Sequence, residues 1–116
     1  NFFFHKFIKF IKYMNMLVEN TTTLKVARWW DKACDIILCN GGKDIGIQKI
    51  LNYFNFNKEE AMAFGDGGND ISMLKYVGTG VAMGNAKDDV KAIADYITDS
   101  VQEDGIVSAL KHFDIL

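Results

Sequence analysis

The stretch AMAFGDGGNDISMLKYVGTGVAMGNA, residues 61–86, decides the fold. Its apolar run AMAFG is followed by a glycine-rich acidic loop, then by a helical pattern, and then by a second apolar run. The alternation continues with helical patterns at 87–95 and 105–113 on either side of a short strand at 96–98. Strands that alternate with short helices are typical of βαβ units. The sequence therefore predicts an α/β fold with a parallel sheet and helices on both faces.

Upstream of this stretch the sequence predicts two more strands and one helix. LKVARWW at 24–30 and DIILC at 35–39 are rich in strand formers. The apolar residues of KDIGIQKILNYF at 43–54 recur at helical spacing.

The N-terminal run FFFHKFIKFIKYMNMLV, residues 2–18, predicts an amphipathic helix. Its apolar residues fall on one side of a helical wheel, while Lys6, Lys9 and Lys12 share the other side. Because the lysines interrupt the apolar run so often, it matches neither a membrane-spanning helix nor a signal-peptide core. A helix that covers one face of a sheet explains the pattern, and a helix on an anionic membrane surface is the alternative.

Composition restricts the class of protein. The 116 residues are 49% hydrophobic and 24% charged, which is typical of a soluble globular domain. The formal net charge of −2 gives no electrostatic reason to expect nucleic acid as a partner. Cys34 and Cys39 have no CxxC spacing, and we interpret them as reduced thiols of a cytoplasmic protein.

The acidic loop GDGGND, residues 65–70, is the candidate metal site. Asp66 directly follows a predicted strand and Asp70 comes four residues later, so both carboxylates can face the same sheet edge, where open α/β sheets bind ligands. Mg²⁺ takes oxygen ligands and is usually held by one or two carboxylates, waters and a substrate phosphate. The loop read alone also fits a plain turn whose Asn69 or Asp70 caps the next helix.

Lys43 and Asn69 are the candidate phosphate-binding residues. A lysine in the first turn of a helix is unfavourable against the helix dipole, so Lys43 is easier to explain if an anion lies beside it. A solvated surface lysine is the alternative. The side-chain amide of Asn69 can donate to a phosphate oxygen or cap the helix.

Taken together, Lys43 and the motifs GDGGND, GVAMGNA, ADYIT and EDGI resemble the C-terminal half of Cof-type sugar phosphatases of the haloacid dehalogenase-like (HAD) superfamily. The resemblance runs from about ARWWDKACDI to EDGIVSALKHF. It implies a core at 39–116 that is the C-terminal half of a Rossmann-like parallel sheet, preceded at 1–38 by the end of an α/β cap. The implied activity is hydrolysis of a sugar phosphate through an aspartyl-phosphate.

The resemblance also implies roles for single residues. Lys43 is similar to the lysine that neutralises the phosphate, and Asp66 to the Mg²⁺ ligand of the family's fourth motif. Asp70 is similar to its partner, either near the metal or bonded to Lys43, and Asn69 to a phosphate contact. In the cap, Arg28 and Trp29 are candidates for substrate selection, although strand aromatics are more often core.

One part of the family pattern is missing. The family's nucleophile lies in a DxDGT motif, and no two aspartates of this chain are separated by a single residue. Asp31, Asp35 and Asp99 do not provide a substitute. We therefore expect a longer parent protein and an inactive chain on its own. In the family the AMAFG strand pairs with the nucleophile strand, so we expect its free edge at 61–65 to self-associate or be covered by the N-terminal segment.

Three functional hypotheses follow from the sequence. The first is a Mg²⁺-dependent phosphatase acting on a small phosphorylated substrate, with no nucleic acid or membrane partner. The second is a non-catalytic phosphate- or partner-binding fragment, or half of a two-chain assembly. The third, the phosphorylation domain of a cation-pumping ATPase, fits poorly because those proteins continue with a proline-bearing helix and this chain has no proline.

Overall fold

The computed structural model of the protein describes residues 12–16, 18–30 and 33–116. It has an antiparallel hairpin, followed by a core in which strands and helices alternate. The elements are, in chain order, β1 (Leu24–Trp30), β2 (Ala33–Leu38), α1 (Lys43–Phe54), β3 (Met62–Gly65), α2 (Ile71–Tyr76), β4 (Thr79–Ala82), α3 (Asp88–Ile93), β5 (Tyr96–Ile97) and α4 (Gly105–His112). The predicted α/β class is confirmed.

The core sheet has the order β3-β4-β5, and both pairs of strands are parallel. Each crossover between neighbouring strands is made by a single short helix, as the alternation of apolar runs predicts. The helix predicted after the acidic loop begins at Ile71, because residues 68–70 form a 3₁₀ turn. The parallel order brings the loops after β3 and β4 to the same edge of the sheet.

The core is built around β4, the central strand. Gly80, Val81 and Ala82 of this strand are buried, as expected where helices and neighbouring strands cover a parallel sheet. Leu74 of α2 and Val90 of α3 are also fully buried. Each such side chain contributes about 1.5–3 kcal/mol by leaving water, so this small core fixes the strand ends that carry the polar loops.

The hairpin lies against the loop that follows β3. A Cβ atom at Gly68 would lie 2.6 Å from the carbonyl oxygen of Arg28, so the β1 backbone approaches the loop at a distance only glycine permits. The register pairs Lys25 with Ile37 and Ala27 with Asp35, which puts these four side chains on one face of the hairpin. That face borders a cavity above the loop.

The N-terminal segment is described only in part. Residues 12–16 and 18–19 are helical, which agrees with the predicted amphipathic helix over that range, while residues 1–11 and 17 lie outside the described part of the chain. In the described ranges, no helix has both the length and the apolar character needed to cross a lipid bilayer.

Candidate metal- and phosphate-binding site

Asp70 is the buried centre of the acidic loop. Its side chain is 6% exposed, and its Oδ1 accepts a hydrogen bond from the Lys43 ammonium, with which it forms an ion pair. Its Oδ2 accepts hydrogen bonds from the backbone N–H groups of Asp66 at 3.0 Å and Gly67 at 3.1 Å. Asp70 therefore closes the loop as a turn residue would, and it also holds the lysine.

The environment of Asp70 favours its charged form. Burial by itself raises the pKa of this carboxyl, but the hydrogen bonds from Lys43 and from the Gly67 and Asp66 amides, together with the lysine charge, outweigh it. The pKa of Asp70 consequently lies below its ordinary value. At neutral pH the carboxylate is a permanent anchor for Lys43.

Lys43 is delivered to the loop by the start of α1. It is the first residue of this helix and follows Gly42, whose φ of 133° is strained for any residue with a side chain. The next residue, Asp44, accepts a hydrogen bond from the Ser72 hydroxyl at 3.1 Å, so two successive α1 residues contact the segment after β3. The Lys43 side chain is still 49% exposed, which leaves the ammonium accessible to an anion.

Asp66 and Asn69 present free polar atoms beside this ion pair. Asp66 is exposed, and its Oδ2 lies 3.4 Å from Nδ2 of Asn85, the residue that follows β4 by three positions. Within the described residues, the Asn69 side chain makes no hydrogen bond, so its amide is available to a ligand. These groups line a cavity of about 410 Å³ together with Lys43, Gly67, Asp70, Asn85 and Lys87.

The donor set of this cavity fits part of a magnesium site. Hard oxygen ligands are those that Mg²⁺ prefers, and one or two carboxylates with waters and a phosphate usually suffice. Both Asp70 oxygens are already engaged, whereas Oδ1 of Asp66 has no hydrogen-bond partner in the described part of the chain. In the described ranges no group of three or more acidic, histidine or cysteine side chains is arranged around a metal position. Within the described part of the chain, Asp66 is therefore the candidate metal ligand of this cavity that has a free oxygen.

A second cavity lies between the hairpin and the same loop. It has a volume of about 560 Å³ and shares Lys43 and Asn69 with the first. Arg28, a candidate for substrate selection, borders it, whereas the side chain of Trp29 lies outside the described part of the chain. Lys25 and Asp35 also border it, and neither was singled out from the sequence as a ligand-binding residue.

Asn85 and Lys87 were likewise missed by the sequence reasoning. The motif GVAMGNA contains Asn85, but its spacing did not show which residue turns toward Asp66. The signal that could have identified Asn85 is its position just beyond β4, the strand that neighbours β3.

The chain is similar to known proteins both in sequence and in structure. The family model described as haloacid dehalogenase-like hydrolase matches residues 3–110. This chain belongs to the haloacid dehalogenase-like hydrolase family. Its described helices and strands also match a solved structure described as a HAD subclass IIB sugar phosphatase, BT4131, with a TM-score of 0.84 and 45% identity, over 90% of this chain and 40% of that one.

Curated relatives of this HAD-like chain include phosphatases of Bacillus subtilis. The putative phosphatase YkrA is 45% identical over 91 residues, which are 78% of this chain and 35% of YkrA. Kanosamine-6-phosphate phosphatase is 42% identical over 77 residues, which are 66% of this chain and 27% of that enzyme. The HAD-like chain thus spans about a third of the length of these relatives.

Proposed function

We propose that the complete protein is a Mg²⁺-dependent phosphatase of small phosphate esters, most simply sugar phosphates, and that this chain supplies the metal- and phosphate-binding half of its site. The observation that carries the proposal is the ion pair between Lys43 and buried Asp70, directly beside exposed Asp66 in one cavity. Two similar proteins, a kanosamine-6-phosphate phosphatase and a HAD subclass IIB sugar phosphatase, support a sugar phosphate as the substrate.

Each residue has a defined task in this proposal. Asp66 holds the metal ion through its free oxygen, and the bound Mg²⁺ supplies charge neutralisation to the transferring phosphoryl group. Lys43 contacts a second phosphate oxygen as a point charge, and Asn69 donates its amide to the phosphate. Asp70 keeps Lys43 in place rather than binding the metal. The second cavity, which lies between the hairpin and the loop and has Arg28 at its border, accepts the rest of the substrate.

The attacking group comes from outside this chain. Because the sequence has no DxD pair, we propose that the 116 residues alone do not turn over substrate and that the complete protein forms an aspartyl-phosphate with a nucleophile from another segment. We place the complete protein in the cytoplasm, since Cys34 and Cys39 are both unpaired.

A titration of the chain tests the site independently of turnover. We expect inorganic phosphate, measured by isothermal titration calorimetry, to bind more tightly in the presence of Mg²⁺. Lys43→Ala should abolish phosphate binding, and Asp66→Ala should abolish the effect of Mg²⁺. Lys49→Ala is the matched control, because Lys49 is an exposed lysine of the same helix. Equal phosphate binding by the Lys43→Ala and Lys49→Ala variants would refute the role of Lys43.

Turnover is tested on the complete product of the reading frame that encodes this chain. We expect Mg²⁺-dependent hydrolysis of hexose phosphates and p-nitrophenyl phosphate, lost in Asp66→Ala and strongly reduced in Lys43→Ala. Appreciable turnover by the 116 residues alone would show that they contain a nucleophile, and would contradict the proposed division of the site.

The edge of β3 that no described strand pairs supports a second proposal, in which this chain is half of a two-chain assembly. Among the described strands β3 pairs only with β4. The backbone groups of residues 61, 63 and 65 face β4. Ile50, Tyr53, Phe54 and Phe56, in or just after α1, are each more than half exposed. An unpaired strand edge and exposed apolar side chains each favour association with a second copy or with a separate chain that completes the sheet.

Proline at the first residue of β3 tests this second proposal. Met62 directs its N–H to the free edge, and Ala61 before it has φ −103° and ψ 137°, which a following proline accepts. We expect concentration-dependent association of the wild type and of Met62→Ala in sedimentation velocity, and a monomer for Met62→Pro. A wild-type monomer at all concentrations would refute self-association.

A further inference from the structure

Asn85 connects the metal-binding loop to a distant turn. Its Nδ2 group faces Oδ2 of Asp66 at 3.4 Å, the long end of the hydrogen-bond range, and its Oδ1 accepts a hydrogen bond from the backbone N–H of Val101 at 3.0 Å. Val101 begins the 3₁₀ turn Val101–Glu103 after β5. One exposed asparagine thus touches two segments that lie after different strands.

The bond from Val101 decides which end of the amide faces Asp66. An asparagine side chain has a donor end and an acceptor end, and rotation of the amide by 180° exchanges them. Because the Val101 N–H occupies the oxygen, the NH₂ group must face the carboxylate. Without that bond the amide could rotate and place its oxygen against the negative charge of Asp66.

The turn that supplies this N–H is itself firmly held. The Ser100 hydroxyl donates to Oε2 of Glu103 at 2.7 Å, and the Gly105 N–H donates to the Ser100 carbonyl at 3.0 Å. Just before the turn, the buried Thr98 hydroxyl donates to the Gly105 carbonyl at 2.6 Å. The Val101 N–H is therefore a fixed donor.

The loop that carries Asn85 lies directly on the same segment. The Gly84 N–H donates to the Asp99 carbonyl at 3.0 Å, and a Cβ atom at Gly84 would lie 2.7 Å from the Ser100 nitrogen. The position of Asn85 relative to Val101 is consequently set by backbone contacts on both sides.

We propose that Asn85 is a positioning residue for Asp66, and that the Ser100–Glu103 turn acts through it to present Oδ1 of Asp66 to the metal ion. The contact with Asn85 engages Oδ2 and limits rotation of the carboxylate, so the free oxygen faces the cavity shared with Lys43 and Asn69. Partners of metal ligands typically change metal affinity by about 10–100-fold when removed. The metal part of this inference rests on the proposed function of Asp66.

A proline at position 101 breaks this connection without removing a side chain from the site. Proline lacks the N–H, is tolerated at the first position of a helical turn, and fits after Ser100, whose φ is −69° and ψ 166°. The Val101 side chain is 58% exposed, so its loss costs little. Val101→Ala is the matched control, because it shortens the side chain and keeps the N–H.

The first measurement needs no metal. In two-dimensional NMR spectra of the metal-free chain, we expect Val101→Pro to shift the side-chain amide resonances of Asn85 and the backbone resonance of Asp66, while Val101→Ala leaves both near their wild-type positions. Identical Asn85 and Asp66 resonances in the two variants would overturn the inference.

The second measurement is the affinity for Mg²⁺ by calorimetry. We expect Val101→Pro and Asn85→Ala to bind Mg²⁺ about 10-fold more weakly than Val101→Ala. Equal affinity of Val101→Pro and Val101→Ala would overturn the inference. If Asp66→Ala binds Mg²⁺ as the wild type does, the proposed metal site fails instead, and the NMR comparison still decides whether Asn85 orients Asp66.

Discussion

Replacing Asp70 by asparagine isolates the charge that holds the site together. Asparagine has nearly the same shape, but it has one acceptor end where aspartate has two. In the wild type, Oδ1 serves Lys43 and Oδ2 serves two backbone N–H groups. The Asp70→Asn side chain must therefore turn its NH₂ group toward either the ammonium or the two N–H donors, and one set of hydrogen bonds is lost.

The magnitude follows from the type of bond lost. A hydrogen bond to a charged group contributes about 1.5–3 kcal/mol, and the remaining bonds weaken when their acceptor becomes neutral. We expect Asp70→Asn to lower the free energy of unfolding by about 2–4 kcal/mol at pH 7. The Lys43 side chain is 49% exposed. Because solvent screens its charge, the effect is smaller than for a fully buried ion pair.

The pH dependence distinguishes the charge from mere shape. The pKa of Asp70 is lowered in the folded chain, so its stabilising effect is complete above the ordinary aspartate pKa and is lost as pH falls through the lower folded pKa. The difference between wild type and Asp70→Asn should thus be constant above about pH 5 and shrink below about pH 4.

Urea denaturation followed by far-UV circular dichroism, in metal-free buffer from pH 7 to pH 3, measures this difference. Similar urea dependence of the two proteins is required for the comparison. Asp99→Asn is the control, because Asp99 is exposed. A difference below about 0.5 kcal/mol at pH 7, the usual range for surface substitutions, would refute the reasoning, as would a difference that persists unchanged at pH 3.

Three further substitutions test the packing around the site, each by urea denaturation. Gly65→Ala should destabilise the chain by about 1–3 kcal/mol and weaken phosphate binding, because its Cβ would lie 2.6 Å from the Asp70 Cβ; wild-type stability would contradict this contact. Gly46→Ala should stabilise it by about 0.5–1 kcal/mol, since this position inside α1 has open space around it. Thr98→Val should cost about 0.5–1.5 kcal/mol by removing the hydroxyl that donates to the Gly105 carbonyl, and no loss would show that water replaces the hydroxyl.

The features predicted from sequence are those set by local pattern and by strand direction. Alternating apolar runs predicted β3, β4 and β5 and the parallel sheet that they form. Lys43 meets the acidic loop because the loop lies at a carboxyl end of the sheet, and because Gly42, with a φ of 133°, directs the chain into the helix that begins at Lys43.

The different environments of the two carboxylates could not be predicted from their spacing. Asp66 and Asp70 are four residues apart, which says that both can face one edge but not which is buried. Burial of Asp70 depends on Gly65, whose missing side chain leaves room for it. Asn85 was missed for a similar reason: its orientation depends on Val101, sixteen residues away, and no local pattern encodes that contact.

Charge balance in the cavity leads to one last prediction, that metal and phosphate bind cooperatively. Among the described residues, Asp66 and Asp70 and Lys43 and Lys87 line the cavity, and the formal charges of these four side chains sum to zero. A phosphate dianion alone, or Mg²⁺ alone, unbalances the cavity by two charges, whereas both together restore neutrality. We therefore expect each ligand to strengthen binding of the other by about 5–150-fold, the usual range of coupling between sites. The factor must be the same whichever ligand is titrated first, and it should fall toward one in Asp66→Ala; independent binding in the wild type would mean that the two ligands do not share this cavity.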